Sequence, residues 1–506
     1  MLHKHIFLKK PTRQRLRPVA YSSLLDTSVV YYYLATTKKG VSVEISKILE
    51  DDVNTLLALN EDHFNDVKSK RIAPAKLQET FVAFANSDGG DLYVGIEDKS
   101  HTGERVIGFT EPEEANAIIA TLLEETQPAV ENVSVEFLDT GGRGLVLHFA
   151  VPKSPKVHYA ASGDCFIRIN AAKRKIKGER ITQLGYSKGA ELYERKPVND
   201  VEVDEVVESE SLANYMRRVG AHLEPASFLR KQRLLTLQGD KRVPNVGCVL
   251  LFDEEPQATL ETRCAVKVYR LRTTEKEYKR QQLEEMPLTI NGGTEDVIHK
   301  TIDQVAKYID GAAFQEGGRL VKLRYPAEAL KEILVNAVIH RDYSLNDDIH
   351  VRIFDNRVEV QSPGKLPGYM SVENLYQERF SRNPNLVRML HNLPNPVNHD
   401  IGEGLDTAKN ELKKAGLIDP LFEEKDNAFV VTIKHQRISS VEEVVLGYLE
   451  ENPNAEITNK LVRKLSGEDD MQKVKSALQK LRASGEIKPV DENANAFNFR
   501  YVKVRN

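Results

Sequence analysis

Apolar residues recur along this chain at two spacings, and the switches between them divide it into elements. From Val41 to about Leu59 the spacing is helical, and the next hundred residues alternate helical with strand-like patterns. Within them LYVGIED at 92–98, VSVEFL at 133–138, LVLHFAVP at 145–152 and DCFIRI at 164–169 read as strands, which predicts one α+β domain over 41–190. From Lys188 to Glu210 the chain is charged and aperiodic, so a linker is expected over 191–209. A mixed α/β connector follows at 210–325. It opens on SLANYMRRVGAHL and FLRKQRLL, turns at Gln238–Asp240, and continues through VGCVLLF and CAVKVYRLRT, both read as strands, to a helix from Thr294 to Ile309. A further block occupies 326–436. In the last, 437–506, helical patterns over Val441–Glu451, Ile457–Leu465 and Asp470–Ser484 precede the strand-like IKPV and FNFRYVKV. The fold class expected is α+β, multidomain.

Length supports the division, because 506 residues exceed the roughly 250–300 at which single cores stop growing. With 41% hydrophobic and 29% charged residues, the composition is that of a folded globular protein and excludes wholesale disorder. Apolar runs such as CVLLF at 248–252 fall far short of the ~20 residues a bilayer span needs, so no membrane partner is expected. Residues 1–40 carry Lys4, Lys9, Lys10, Arg13, Arg15 and Arg17 without the apolar core of a secretory signal, and read as a solvated basic extension. Cys165, Cys248 and Cys264 are widely spaced and set in apolar segments, which suggests neither a disulfide framework nor a zinc knuckle; a reducing cytoplasm is the compartment expected. The net charge of −4 excludes little, since a mildly acidic whole can carry basic faces.

Candidate chemistry concentrates at 326–436. YPAEALKEILVNAVIHRDYS opens on a proline and carries apolar Leu330, Ile333, Leu334, Ala337 and Val338, the stripe of a buried helix. Glu332 and Asn336 are four residues apart on it and share a face, with His340 one turn further. A solvated polar stripe is the plain reading of three such residues. The alternative is that Asn336 offers an amide oxygen to Mg2+ while Glu332 orients or deprotonates water. Downstream, HVRIFDNRVEVQSPGKLP reads as two strands ending in a Ser-Pro-Gly turn, and Gly402 and Gly404 stand immediately before an amphipathic helix, where free amides favour phosphate.

The order EILVNAVIHRDYS, VEVQSPGKLP, SRNPNL and GEGL resembles the GHKL (Bergerat-type) ATP-binding domain in its divergent, RecG-like branch. The resemblance implies a helix-and-sheet sandwich binding ATP and Mg2+, with Glu332 as activating base, Asn336 on the metal, and His340, Ser362, Gly364, Gly402 and Gly404 around the nucleotide. Relatives commonly have Asn-Pro-Gly where this chain has Ser362-Pro363-Gly364, and better-studied branches place an adenine-binding aspartate near there. Ser362 is left as a hydrogen-bonding substitute.

AFANSDGGDLYVGIED, the following GFT and the later FIRINAAKRKI resemble the AlbA_2 (Schlafen-type, divergent AAA-4) domain over about 44–180. The resemblance implies nucleic-acid binding, to which Arg168, Lys173, Arg174, Lys175 and Lys177 would contribute phosphate contacts; a solvated charged loop is the plain reading. Glu61, Asp66, Lys68 and Asp98 pose an alternative, a metal-dependent nuclease centre of the kind some Schlafen relatives carry, against a structural salt bridge between Asp66 and Lys68.

The C-terminal helices and hairpin describe a winged helix-turn-helix, whose last helix presents Lys473, Lys475 and Lys480, with Arg482, as a DNA-facing candidate. The function expected is a nucleotide-regulated, ATP-binding, nucleic-acid-binding protein, a DNA-binding transcriptional regulator with DNA preferred to RNA and a homo-oligomer of two or more copies. The alternatives are an ATP-controlled nuclease in anti-phage defence and an interaction scaffold with a degenerate nucleotide site.

Overall fold

The computed structural model describes residues 30–33, 42–260, 262–310, 313–316, 319–322, 324–398, 404–435, 441–466, 470–491 and 499–504. Most of the basic extension and Gly402 therefore lie outside the described residues. The chain divides into two units, Met1–Ile181 and Thr182–Asn506. Among the described residues no helix is long and apolar enough to cross a membrane.

The first unit is built on a six-stranded mixed sheet in the order Val30–Tyr33, Ser42–Lys47, Ser134–Asp139, Leu145–Val151, Gly90–Val94, Asn65–Lys68. Helix Pro74–Asn86 buries Leu77, Phe81 and Phe84 in a core shared with Leu92, Phe137, Leu147 and Phe149 of the sheet. A hairpin, Cys165–Ile169 with Ala172–Ile176, packs on the same helix and turns at Asn170, whose φ of +53° an asparagine tolerates. The stretch read as helical from Val41 is instead a strand, Ser42–Lys47, before the helix Glu50–Ala58. Val43 and Ile45 alternate with polar neighbours and insert the strand between Val30–Tyr33 and Ser134–Asp139, a tertiary pairing that the mixed spacing concealed.

The second unit holds a six-stranded sheet in the order Leu288–Ile290, Val266–Arg270, Ile349–Ile353, Arg357–Pro363, Ala428–Lys434, Leu421–Lys425. Val266–Arg270 and Ile349–Ile353 run parallel; every other neighbouring pair is antiparallel. Helices Thr294–Asp310 and Ala327–Ile339 pack together and against the sheet, and Gly404–Lys414 packs on Ala327–Ile339. One hydrophobic core runs from Val198 to Ile433.

Three sequence readings change here. The boundary at 325/326 cuts through a single sheet, because two of its strands come from the block read as a connector. The segment read as a linker carries Val198, Val201 and Val206 in that core, and its Glu194 is fully buried, accepting from the amides of Asn385 (2.8 Å) and Leu386 (3.0 Å) at the start of helix Pro384–His391. VGCVLLF is a helix, Val246–Phe252: every residue is buried, so the run has no polar face to show a period, and Asn245 starts it by accepting from the Cys248 amide at 3.0 Å. The remaining helices and hairpins lie close to their expected positions.

The C-terminal segment has its own small core, in which Val445, Leu449, Ile457, Val462, Val474, Leu478, Ile487 and Tyr501 join helices Val441–Glu451, Asn459–Ser466 and Met471–Ala483 to the two-stranded Ile487–Pro489/Tyr501–Lys503 hairpin.

Candidate nucleotide site

In the second unit a cavity of about 420 Å³ opens beside the helix Ala327–Ile339. The apolar stripe of that helix, Ile333, Leu334, Ala337 and Val338, is buried in the core, and the turn offset that buries it points Glu332, Asn336 and His340 at the cavity wall. Asn336 Nδ2 donates to Glu332 Oε1 at 2.9 Å, which orients the amide and leaves its Oδ1 as the free acceptor end. Gly404, the first residue of the helix Gly404–Lys414, lies against Glu332; a Cβ there would overlap the carboxylate. The positive end of that helix and the carboxylate are thereby neighbours on the cavity wall.

Ser362 and Gly364 close the opposite side. The Ser362 hydroxyl donates to Ala337 O at 2.7 Å, tying the strand Arg357–Pro363 to the helix, so its proton is committed to the fold and only lone pairs remain for a ligand. Gly364 has φ +103°, and a Cβ would press on Asp342 and Arg382, so glycine is required there. His340 caps the helix and is half-buried, with its Nδ1 enclosed. Burial, aided by the Arg382 charge, pushes its pKa down to about 4, and its Nδ1 has no hydrogen-bond partner. A neutral imidazole thus lines the cavity. The rest of the wall sets Lys331, Lys365 and Arg379 beside Glu328, Glu378 and Asp406, and is apolar at Met370, Leu375, Phe380 and Phe429.

The sequence reading missed Arg382, although SRNPNL was singled out for its order. Its guanidinium is buried and donates to three carbonyls, His340 O (3.1 Å), Lys365 O (2.7 Å) and Ser187 O (2.9 Å). Backbone acceptors carry no residue signature, and one of them lies 195 positions away, so nothing local marks the role.

In the first unit the carboxylates read as a nuclease centre surround a cation of the chain itself. Lys68 pairs with both Asp66 and Glu61, the latter at 2.6 Å. Burial opposes its charge, yet the two carboxylates raise its pKa. Asp98 is exposed and accepts from the Ser100 amide at 2.8 Å, a bond that lowers its pKa. Among the described residues no group of three His, Cys, Asp or Glu is gathered to hold a metal. Arg168, expected as a surface phosphate contact, is corrected by its burial: it pairs with Asp66 at 2.7 Å, donates to the carbonyls of Asp62 and Asn65, and stacks on Phe84. Arg168 is buried on its strand, whereas Arg174, Lys175 and Lys177 on and just after the following strand are exposed and Lys173 is half-buried. Of these, Lys173 pairs with Glu79 and Lys175 with Asp164. In the C-terminal segment Lys473, Lys475 and Lys480 are exposed on the helix Met471–Ala483, and Lys480 lies 3.3 Å from Glu442.

Residues 61–177 match the family described as "Schlafen, AlbA_2", and residues 346–433 match the family described as "Putative ATP-dependent DNA helicase recG C-terminal". The two matches lie where the two resemblances in the sequence place them. The second begins after Glu332 and Asn336, which rest on the sequence motif and the cavity. No curated protein matches the chain. Among solved structures, the DIP2311 protein of Corynebacterium diphtheriae is 18% identical over 90% of this chain and 96% of its own, with a TM-score of 0.37, too low to carry an argument.

Proposed function

We propose that this chain, in which a Schlafen AlbA_2 domain precedes a RecG C-terminal-type ATPase-like domain, is a DNA-binding regulator that binds a magnesium-bound adenine nucleotide and adjusts its grip on nucleic acid accordingly. The observation that carries this reading is the 420 Å³ cavity in which Glu332, Asn336 and Gly404 meet. Its volume suits a small ligand, and its wall combines the Asn336 amide, a helix start, the four cations Lys331, Lys365, Arg379 and Arg382, and the four carboxylates Glu328, Glu332, Glu378 and Asp406. Asn336 would hold the magnesium through Oδ1, the oxygen its bond to Glu332 leaves outward. When bound, the ion neutralises and aligns phosphate oxygens. Lys331, Lys365 and Arg379 add charge for the phosphates, while Met370, Phe380 and Phe429 exclude water from the apolar part of the wall. Glu332 is placed to accept a proton from water on the same helix face, the role of an activating base.

Nucleic acid would be met by the exposed cations at Arg174 and Lys177 and by Lys473, Lys475 and Lys480 on the last helix of a winged helix-turn-helix. The three helices and hairpin of the C-terminal segment have the element order that motif needs. Binding is favoured over cleavage because Lys68 fills the centre of the Glu61–Asp66 cluster with a positive charge, which competes with a catalytic cation.

Calorimetry with a nonhydrolysable ATP analogue and Mg2+ tests the site. Wild type should bind and Asn336→Ala should bind at least about tenfold more weakly, the loss of ~1.4 kcal/mol. Equal affinity, or no heat from either, sinks the assignment.

A further inference from the structure

We infer that the segment by which the chain enters its second unit, residues 182–189, is clamped by the rim of the nucleotide cavity, so that filling the cavity changes the hold on this segment; the inference rests on reading that cavity as a magnesium–nucleotide site. Four contacts make the clamp, two to the cavity-lining Arg382 and Phe380 and two to Gly368 and Ser344 outside the lining. Arg382, on the cavity wall, donates to Ser187 O at 2.9 Å. The Gly368 amide donates to Lys188 O at 3.0 Å. Gln183 Nε2 donates to Ser344 Oγ at 2.6 Å. Gly189, at φ +73°, sits so close to the cavity-lining Phe380 that a Cβ would meet the ring.

Arg382 gives the clamp a reason to respond. Its other two acceptors are His340 O, at the end of the helix presenting Glu332 and Asn336, and Lys365 O, on the cavity rim. One buried guanidinium therefore ties the segment, the ligand-bearing helix and the rim into a single hydrogen-bonded junction, and none of the three can shift without stripping an acceptor from a buried cation.

The junction also has a second arrangement within reach. Arg382 Nε and Asp342 Oδ2 are both buried, both lack a hydrogen-bond partner, and lie 3.9 Å apart. A closure of about 1 Å would make a charge-assisted bond between them at the expense of a carbonyl contact. Asp342 is itself held to the segment, since Ser344 Oγ donates to its Oδ1 at 2.5 Å and accepts from Gln183. A two-arrangement junction touching both the cavity and the segment is the physical element that coupling requires.

The test uses the full chain with Mg2+ and a nonhydrolysable ATP analogue, pairing calorimetry with hydrogen exchange at the amides of 183–189. Nucleotide should change exchange there by about tenfold. By reciprocity, Gln183→Ala and Gly189→Ala should each shift nucleotide affinity by about threefold or more. Gln183→Ala keeps the test open if the glycine variant fails to fold. Binding heat with unchanged exchange at 183–189 and wild-type affinity in Gln183→Ala overturns the clamp while the cavity reading stands. Absence of heat from wild type removes both.

Discussion

His148 and His340 are both half-buried imidazoles, and their surroundings push them in opposite directions. Burial disfavours the charged form of His148, but hydrogen bonds to Asp91 (2.8 Å) and Glu136 (2.9 Å) outweigh it and raise its pKa to about 9. A folded pKa above the unfolded value contributes stability that is whole below about pH 6.5 and is lost as pH rises through 9, by up to about 3 kcal/mol. His340, lowered to about 4, has the reverse sign: its contribution is present above about pH 6.5 and declines as the solution is acidified toward 4. Denaturant unfolding of wild type and His148→Gln at pH 6.5 and 9.5 should show a drop for wild type that the variant lacks, and a parallel drop in both would remove His148 as its source. At pH 5, His340→Asn should lose less stability relative to pH 6.5 than wild type does. Asp66 and Arg168 illustrate the same scale differently, for the sequence shows an acid and a base without showing that they are partners.

At the scale of elements, the first residue of the helix Gly404–Lys414 packs against the Glu332 carboxylate, which an added Cβ would push aside. Gly404→Ala should push the Glu332 carboxylate out of place, weaken nucleotide binding at least about tenfold, and cost little global stability, since Ala408 and Leu412 still anchor the helix in the core. Calorimetry beside a melting curve checks this; unchanged affinity would show that the position of the Glu332 carboxylate takes no part in binding. The helix Val246–Phe252 teaches what periodicity can and cannot show. Seven buried residues in a row fit a buried strand or a buried helix equally, and the deciding features were the Asn245 cap and packing on every side. Where a polar face existed, as in Thr294–Asp310 and Ala327–Ile339, the helix was legible in advance.

At the scale of the molecule, the second unit is one core with strands drawn from both sides of residue 326. A fragment of 326–436 lacks Val266–Arg270, the parallel partner of Ile349–Ile353, and the helix Thr294–Asp310 that covers the sheet. It should be insoluble or unfolded by circular dichroism, whereas 182–435 should melt cooperatively; a cooperative melt from the shorter fragment would restore the boundary. The sequence by itself determined the amphipathic helices, the alternating strands, the order of the two matched domains, and the shared face of Glu332 and Asn336, because each follows from spacing along one element. Tertiary structure alone decided that the charged stretch at 191–209 belongs to a core, that Arg168 turns inward to Asp66, and that Arg382 joins the cavity to residue 187. These depend on partners distant in sequence, often backbone carbonyls, and a hydrogen bond to a carbonyl leaves no mark on the identity of the residue that supplies it.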